Sequence, residues 1–213
     1  MIVVYTAIFG NYDSLAAVHD VPGVRFVAFT DSEINAKGWE SIIPEKTEKT
    51  GRMENRKYKT RPNVLFPNAE FTIYMDGNLK LTKDPVSIVE ECKGGLNVFN
   101  HDLRGCAYDE ADVVSGRFPK GVTEKQTRRY INEGFPKGYG LYWGGLIIRD
   151  RGANSFNNFW WNELKSGIER DQVSLPYAIW STGVELNVLE GEIPFGGGSN
   201  KYCVRSPHTR GIQ

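Results

Sequence analysis

An acid, a glycine and an amide stand together in the stretch Phe71-Thr72-Ile73-Tyr74-Met75-Asp76-Gly77-Asn78-Leu79-Lys80-Leu81. The run before Asp76 is apolar and β-prone, which reads as a buried strand. Open α/β sheets gather their ligand groups in the crevice beyond the carboxyl ends of such strands. Asp76 and Asn78 are therefore candidates to face a diphosphate, a ribose or a metal ion. Gly77 would let the backbone turn and let a ligand come close. The competing reading is a hairpin turn, because Asp-Gly and Gly-Asn are strong turn dipeptides.

Three cations lie just upstream. Arg52, Arg56 and Lys59 fall at i, i+4 and i+7, which puts them on one face of a helix. Arginine suits two-point contact with phosphate, although a stripe of this kind is also an ordinary solvated surface. Gly144 and Gly145 interrupt the apolar run Leu141 to Arg149. Adjacent glycines weaken a strand, so they call for a bulge or a ligand against the backbone. Asp171, in Arg170-Asp171-Gln172, opens a helix, where an acid is often only a partner for the helix dipole.

These groups need a scaffold. The sequence predicts strands over 2–9, 24–29, 39–43, 71–75 and 96–99, with a further one at 141–149. Loops at the strand exits are typical of a nucleotide-binding α/β half, in which the backbone at Thr6 and Ala7 could receive a base. Asp13 or Asp31 could reach a base or ribose, yet each alone is more simply a turn former or cap. Asp84-Pro85 opens a helix as cap and first turn. Thr123 and Gln126 fit a capping box, with Gly134 as the stop. Asp109-Glu110-Ala111-Asp112 reads as a short acidic helix, mostly solvated. Phe156, Phe159, Trp160 and Leu164 form a core stripe that leaves Trp161 to one side. His101, at a strand exit, is either a contact or a hydrogen-bonded loop residue. The tail from Gly196 reads as a flexible loop carrying His208.

Composition narrows the class. The chain has 213 residues, 40% hydrophobic and 24% charged, which is ordinary for one globular domain. Lys plus Arg equals Asp plus Glu at 26 each, so no overall field selects nucleic acid or an anionic membrane. Cys92, Cys106 and Cys203 lack metal-ligand spacing and point to reduced thiols in a cytoplasmic setting. No apolar run approaches the roughly 20 residues of a membrane span, and the start has no signal-peptide pattern.

Four blocks together resemble one family: Tyr5 to Asp13; Leu65-Phe66-Pro67 with Tyr74 to Leu81; His101 to Arg104; and Asn162-Glu163-Leu164 with Arg170-Asp171-Gln172. The resemblance, over about residues 2–185, is to the glycosyltransferase-like family once labelled a domain of unknown function, which includes plant mucilage-related and turgor-related proteins. It implies a single GT-A-like domain over 1–213: a Rossmann-type mixed α/β sheet flanked by helices. The donor half is expected at about 1–100 and the acceptor half and tail at about 101–213. It also implies transfer of a sugar from a nucleotide-sugar donor, above all a UDP-sugar, to a hydroxyl on a glycan or other biomolecule.

The resemblance further implies a Mn²⁺ or Mg²⁺ site at Asp76, Asn78 and His208. Asn78 stands where the usual pattern has a second Asp, and an amide is a weaker ligand for a hard cation. By the same resemblance, Gly144 and Gly145 line the sugar pocket and Asp171 contacts acceptor or sugar, serving as base if the reaction inverts. Arg52, Arg56 or Lys59 would meet the diphosphate. Other readings remain: a ceramidase-like hydrolase, a nucleotide-sugar-binding module without turnover, and a transferase acting on nucleic acid through the basic helix at 123–133. No Gly-x-Ser-x-Gly elbow or His-Glu-x-x-His helix supports the hydrolase.

Overall fold

The computed structural model describes residues 1–209. Its strands are β1 (Ile2–Ile8), β2 (Val24–Thr30), β3 (Glu40–Ile42), β4 (Phe71–Met75), β5 (Leu79–Leu81), β6 (Leu96–Asn100), β7 (Tyr142–Asp150), β8 (Leu186–Val188) and β9 (Cys203–Arg205). The helices are α1 (Gly51–Thr60), α2 (Pro62–Leu65), α3 (Pro85–Glu91), α4 (Ala107–Val114), α5 (Val122–Asn132), α6 (Asn154–Ser166) and α7 (Asp171–Thr182).

One sheet runs β3-β2-β1-β4-β7-β6-β8. All its pairings are parallel except those of β7, which lies antiparallel to β4 and β6. Strands from both halves of the chain share this sheet, so it is a mixed, mostly parallel Rossmann-like α/β fold. The near-continuous apolar runs of β1, β4 and β7 follow from burial on both faces. One face packs Tyr5, Tyr74 and Ile147 against Trp160 and Leu175. The other packs Val4, Ile73 and Ile148 with Ile88 and Tyr202.

The order of strands reverses at β1. The chain steps outward through β2 and β3, then returns to place β4 on the other side. Such a switch leaves a crevice between the carboxyl ends of the two neighbouring strands. Helix α1, capped by Thr50 through its hydroxyl to Met53 N (3.0 Å), comes just before β4 in sequence and lies over this end of the sheet.

Arg149 on β7 fixes the far end of α1. It is 1% exposed and donates to Asn157 Oδ1 (2.8 Å), to the Tyr5 hydroxyl (2.5 Å) and to the Lys59 carbonyl (2.8 Å). No carboxylate pairs with it among the described residues, so these neutral acceptors offset its desolvation.

Several sequence expectations are corrected. The tail does not run as a free loop: β9 pairs antiparallel with β5 and buries Tyr202 and Cys203. The capping box at Thr123 fails, because the cap is Gly121 in a left-handed conformation. Gln126 instead donates to the Tyr130 hydroxyl and accepts from Ile168 N. Glu110 is fully buried rather than solvated, and Trp161 is 7% exposed. Residues 210–213 of the expected tail lie outside the described residues.

Replacing Arg149 with Leu leaves the Tyr5 and Asn157 oxygens short of a donor, while the Lys59 carbonyl keeps only the Tyr5 hydroxyl at 2.9 Å. Chemical denaturation is expected to show a loss of about 3 kcal/mol; an unchanged midpoint would refute this anchoring role.

Candidate functional site

Tyr74, the next-to-last residue of β4, and Asp76 just beyond it, begin a closed ring of polar side chains. The Tyr74 hydroxyl donates to Asp76 Oδ1 (2.9 Å) and accepts from Asn55 Nδ2 (3.2 Å). Asn55 Oδ1 accepts from Arg56 Nη1 (2.7 Å). Arg56 Nη2 reaches Asp171 Oδ1 (3.2 Å), and Lys59 Nζ lies 2.5 Å from Asp171 Oδ2. The ring closes where Lys59 Nζ stands 4.0 Å from Asp76 Oδ1. Three residues of one helix, two at the end of one strand and the first residue of α7 are thereby tied together.

The charges are deeply set. Lys59 is 1% and Asp171 4% exposed, whereas the Asp76 side chain is 32% exposed and meets solvent. Burial alone would raise the Asp171 carboxyl, but Arg56 and Lys59 outweigh it and hold the group well below the usual carboxylate range. Burial lowers the Lys59 ammonium, against the pull of Asp171 and Asp76. Position at the start of α7 adds the helix dipole to what stabilises the Asp171 anion. An acid held this firmly ionised is a poor proton acceptor.

The ring forms one wall of a cavity of about 820 Å³, a volume suited to a small-molecule substrate. Of the residues expected at a site, Ala7, Asp13, Arg52, Arg56, Lys59, Asp76, Gly77, Gly144, Gly145, Asp171 and His208 all line it. Thr6 does not. It is fully buried within β1, opposite Ala28. Asn78 also lies outside the lining and is 5% exposed. Its Nδ2 donates to the Ser206 carbonyl (2.8 Å), and its own carbonyl accepts from Ser206 N. Asp31 serves the loop instead, accepting from Gly10 N and Lys46 Nζ, each at 2.8 Å.

The hairpin reading at Asp76 holds only as a local turn. Leu79 N donates to the Asp76 carbonyl (3.0 Å), yet β4 and β5 belong to different sheets, so no hairpin forms. A side chain on Gly77 would meet Ile8 Cδ1 at 2.6 Å, so its smallness serves packing against β1. Gly144 differs: a Cβ there would stand 2.8 Å from Lys59 Nζ and 3.1 Å from Asp171 Oδ2. The β6–β7 register shifts alongside, between Asn97 and Phe99. The glycine pair thus combines the expected irregularity with room for the buried ion pair.

The mouth is crossed by the tail. His208 Nδ1 lies 2.8 Å from Asp13 Oδ1, and its ring packs against Tyr12 at 4.8 Å. Burial pushes the Asp13 carboxyl up, against the influence of His208. The side chains expected to hold a metal are therefore not gathered as a ligand set: Asn78 turns its amide nitrogen to Ser206 and His208 binds Asp13. No group of three His, Cys, Asp or Glu side chains converges in that way among the described residues. This arrangement does not fit a divalent ion on Asp76, Asn78 and His208.

Asn55, Tyr74 and Arg205 were missed by sequence reasoning. Asn55 could have been found from its place beside Arg56 on a helix that already carried the cationic stripe. His101 is buried outside the lining, with Nδ1 unpartnered. On the basic helix α5, Arg129 is spent on Glu133 and Glu163. Cys92, Cys106 and Cys203 are free thiols, and no helix among the described residues is long and apolar enough to cross a membrane.

Fold and site together define a Rossmann-like α/β protein with a polar, cation-lined cavity where the strand order reverses. A model of the TOD1/MUCI70 glycosyltransferase-like domain matches residues 37–189, and the chain belongs to that family. It is similar to the Arabidopsis thaliana protein "Probable hexosyltransferase MUCI70", at 25% identity over 209 residues. That match takes in 81% of this chain and 36% of the relative, so the chain spans little more than a third of the relative's length.

Two substitutions probe the ring. Asp171→Asn leaves two buried cations without their carboxylate, and should lower stability by about 3–5 kcal/mol, roughly 6–20 °C in Tm. Because Arg56 and Lys59 hold the folded-state pKa of Asp171 below its ordinary value, its contribution is full above the usual carboxylate range of about pH 4 and is lost as pH falls below it. The Asn variant should therefore lose that part of the acid limb; an unaltered pH–stability curve would contradict the pairing. Gly144→Ala should force Lys59 from Asp171 at a cost of about 2 kcal/mol, seen as a lower Tm.

Proposed function

We propose that the chain is a GT-A-type, nucleotide-sugar-dependent hexosyltransferase, with a UDP-sugar as donor and a hydroxyl acceptor on a glycan or other biomolecule. The observation that carries this reading is the set of cations around Asp76, at the carboxyl ends of β1 and β4. The chain as a whole is charge-balanced at 26 against 26, but six Lys and Arg side chains face four Asp and Glu in the cavity wall. Membership of a glycosyltransferase-like family gives that anion-attracting wall its chemical context.

In the transfer, the acceptor oxygen forms a bond to the sugar's anomeric carbon while the bond to the nucleoside diphosphate breaks. The acceptor proton passes to the departing diphosphate or to water, and negative charge gathers on the departing phosphate. Preorganised cations in a partly dry cavity lower that barrier most effectively. Arg52 and Arg205 have no carboxylate partner among the described salt bridges, and both line the wall, so they are the groups assigned to the diphosphate, with Lys59 behind them. Together they supply positive charge of the kind that a metal ion would otherwise bring. Asp76, the exposed member of the ring, is assigned to a ribose or sugar hydroxyl, its carboxylate aimed by Tyr74. Asp171 is assigned as a positioning residue for Lys59 and Arg56 rather than as the base.

Asp76→Ala is expected to fold normally and to lose transfer and donor hydrolysis with UDP-hexose by 10²-fold or more. Full activity in that variant would defeat the assignment. UDP should raise the Tm of the unaltered protein, by roughly 5–10 °C at a hundredfold excess over Kd. No shift with any nucleoside diphosphate would remove the donor site.

A further inference from the structure

The cavity wall has a second charged region, contributed by Val114, Arg117, Phe118, Glu169, Arg170 and Gln172 and not used by the assignments above. We propose that Arg117, Phe118, Arg170 and Gln172 form the acceptor subsite, and that the acceptor it takes is an acidic sugar, a glycan unit carrying a carboxylate. This rests on the reading of the Asp76 region as the donor site.

The groups have different histories. Arg170 is fixed from behind: its Nε and Nη2 both lie 2.7 Å from Glu110 Oε1, while Arg104 Nε holds Glu110 Oε2 at 2.6 Å. Glu110 itself is fully buried. A buried acid shared by two arginines keeps one of them in a fixed position at the wall, which lessens the ordering cost of ligand binding. Arg117 is exposed and forms no salt bridge among the described residues. A free, planar guanidinium at a cavity wall is suited to two-point contact with a carboxylate.

Gln172 supplies an independent sign. It lines the cavity, yet its Oε1 is buried without a hydrogen-bond partner. An unmade bond of that kind is costly, and a hydroxyl donor from a ligand would satisfy it after a small turn of the amide. The half-buried Phe118 offers an apolar surface against which the face of a sugar ring can pack. Charge magnitude decides between ligand classes. Glu169 stands in the same region of wall, accepting from Thr50 Oγ1 (2.9 Å), and offsets one of the two arginines. What is left suits a single carboxylate per unit rather than a run of phosphates.

Calorimetric titration of the intact chain, without nucleotide, tests this directly. The probes are a short uronic-acid oligosaccharide, its carboxyl-reduced neutral form and a single-stranded oligonucleotide at the same ionic strength. The acidic oligosaccharide is expected to bind at least tenfold more tightly than the reduced form. Arg117→Ala should remove that preference while leaving Tm and the UDP-induced shift unchanged. Equal binding of the acidic and reduced sugars, binding of neither, tighter binding of the oligonucleotide, or a preference that survives Arg117→Ala would each overturn the proposal. An acidic-sugar preference in a protein that shows no response to any nucleoside diphosphate would support the acidic-sugar site and sink the donor reading alone.

Discussion

A buried aspartate between two buried cations sets the architecture of this site. Removing Asp171, Lys59 and Arg56 from water is costly, and their mutual attraction repays it only while all three keep their geometry. That condition ties α1, the start of α7 and the glycine pair of β7 to one another. It also explains why the ring extends through Asn55 and Tyr74 to Asp76. Each added hydrogen bond satisfies a polar atom that burial would otherwise leave unmade.

The sheet makes this possible by its order. The reversal at β1 opens a crevice beside β4, and the antiparallel β7 brings Gly144 against the crevice wall. A side chain at that position would occupy the space of the Lys59 ammonium. Arg149, buried on the same strand, holds the carbonyl end of α1, so β7 constrains the helix at Lys59 from the backbone as well as through the cavity. The exposed part of the arrangement is small: Asp76, Arg52, Arg117 and the tail at His208 meet solvent, while the groups that aim them do not.

Much of this was legible in the sequence where the signal is local. The spacing of Arg52, Arg56 and Lys59 marks one helical face, and an acid after an apolar run marks a strand exit. Two glycines in an apolar strand demand a reason. The misses are non-local or masked by residue type. Asp13 and His208 meet across almost the whole chain, and no period connects them. Strand β9 is only the three residues Cys203–Arg205, a few positions after a glycine run, and it forms because β5 offers an edge. Glu110 did carry a signal, since it shares a face with Ala107, Ala111 and Val114 at helical spacing; its charge argued for solvent, and Arg104 together with the distant Arg170 reverses that. Trp161 is buried because α6 packs against α1 and α7 as well as sharing a core cluster with residues of the sheet, which a single stripe does not anticipate.

The family and the ring converge on one claim, that the cations beside Asp76 exist to receive a diphosphate. A crystal structure of the protein soaked with UDP and Mn²⁺ tests it most directly. The expected result is a diphosphate in the cavity, within hydrogen-bond reach of Arg52, Arg205 or Lys59, with a ribose or sugar hydroxyl on Asp76. A nucleotide bound elsewhere, with the cavity holding only solvent, would contradict it.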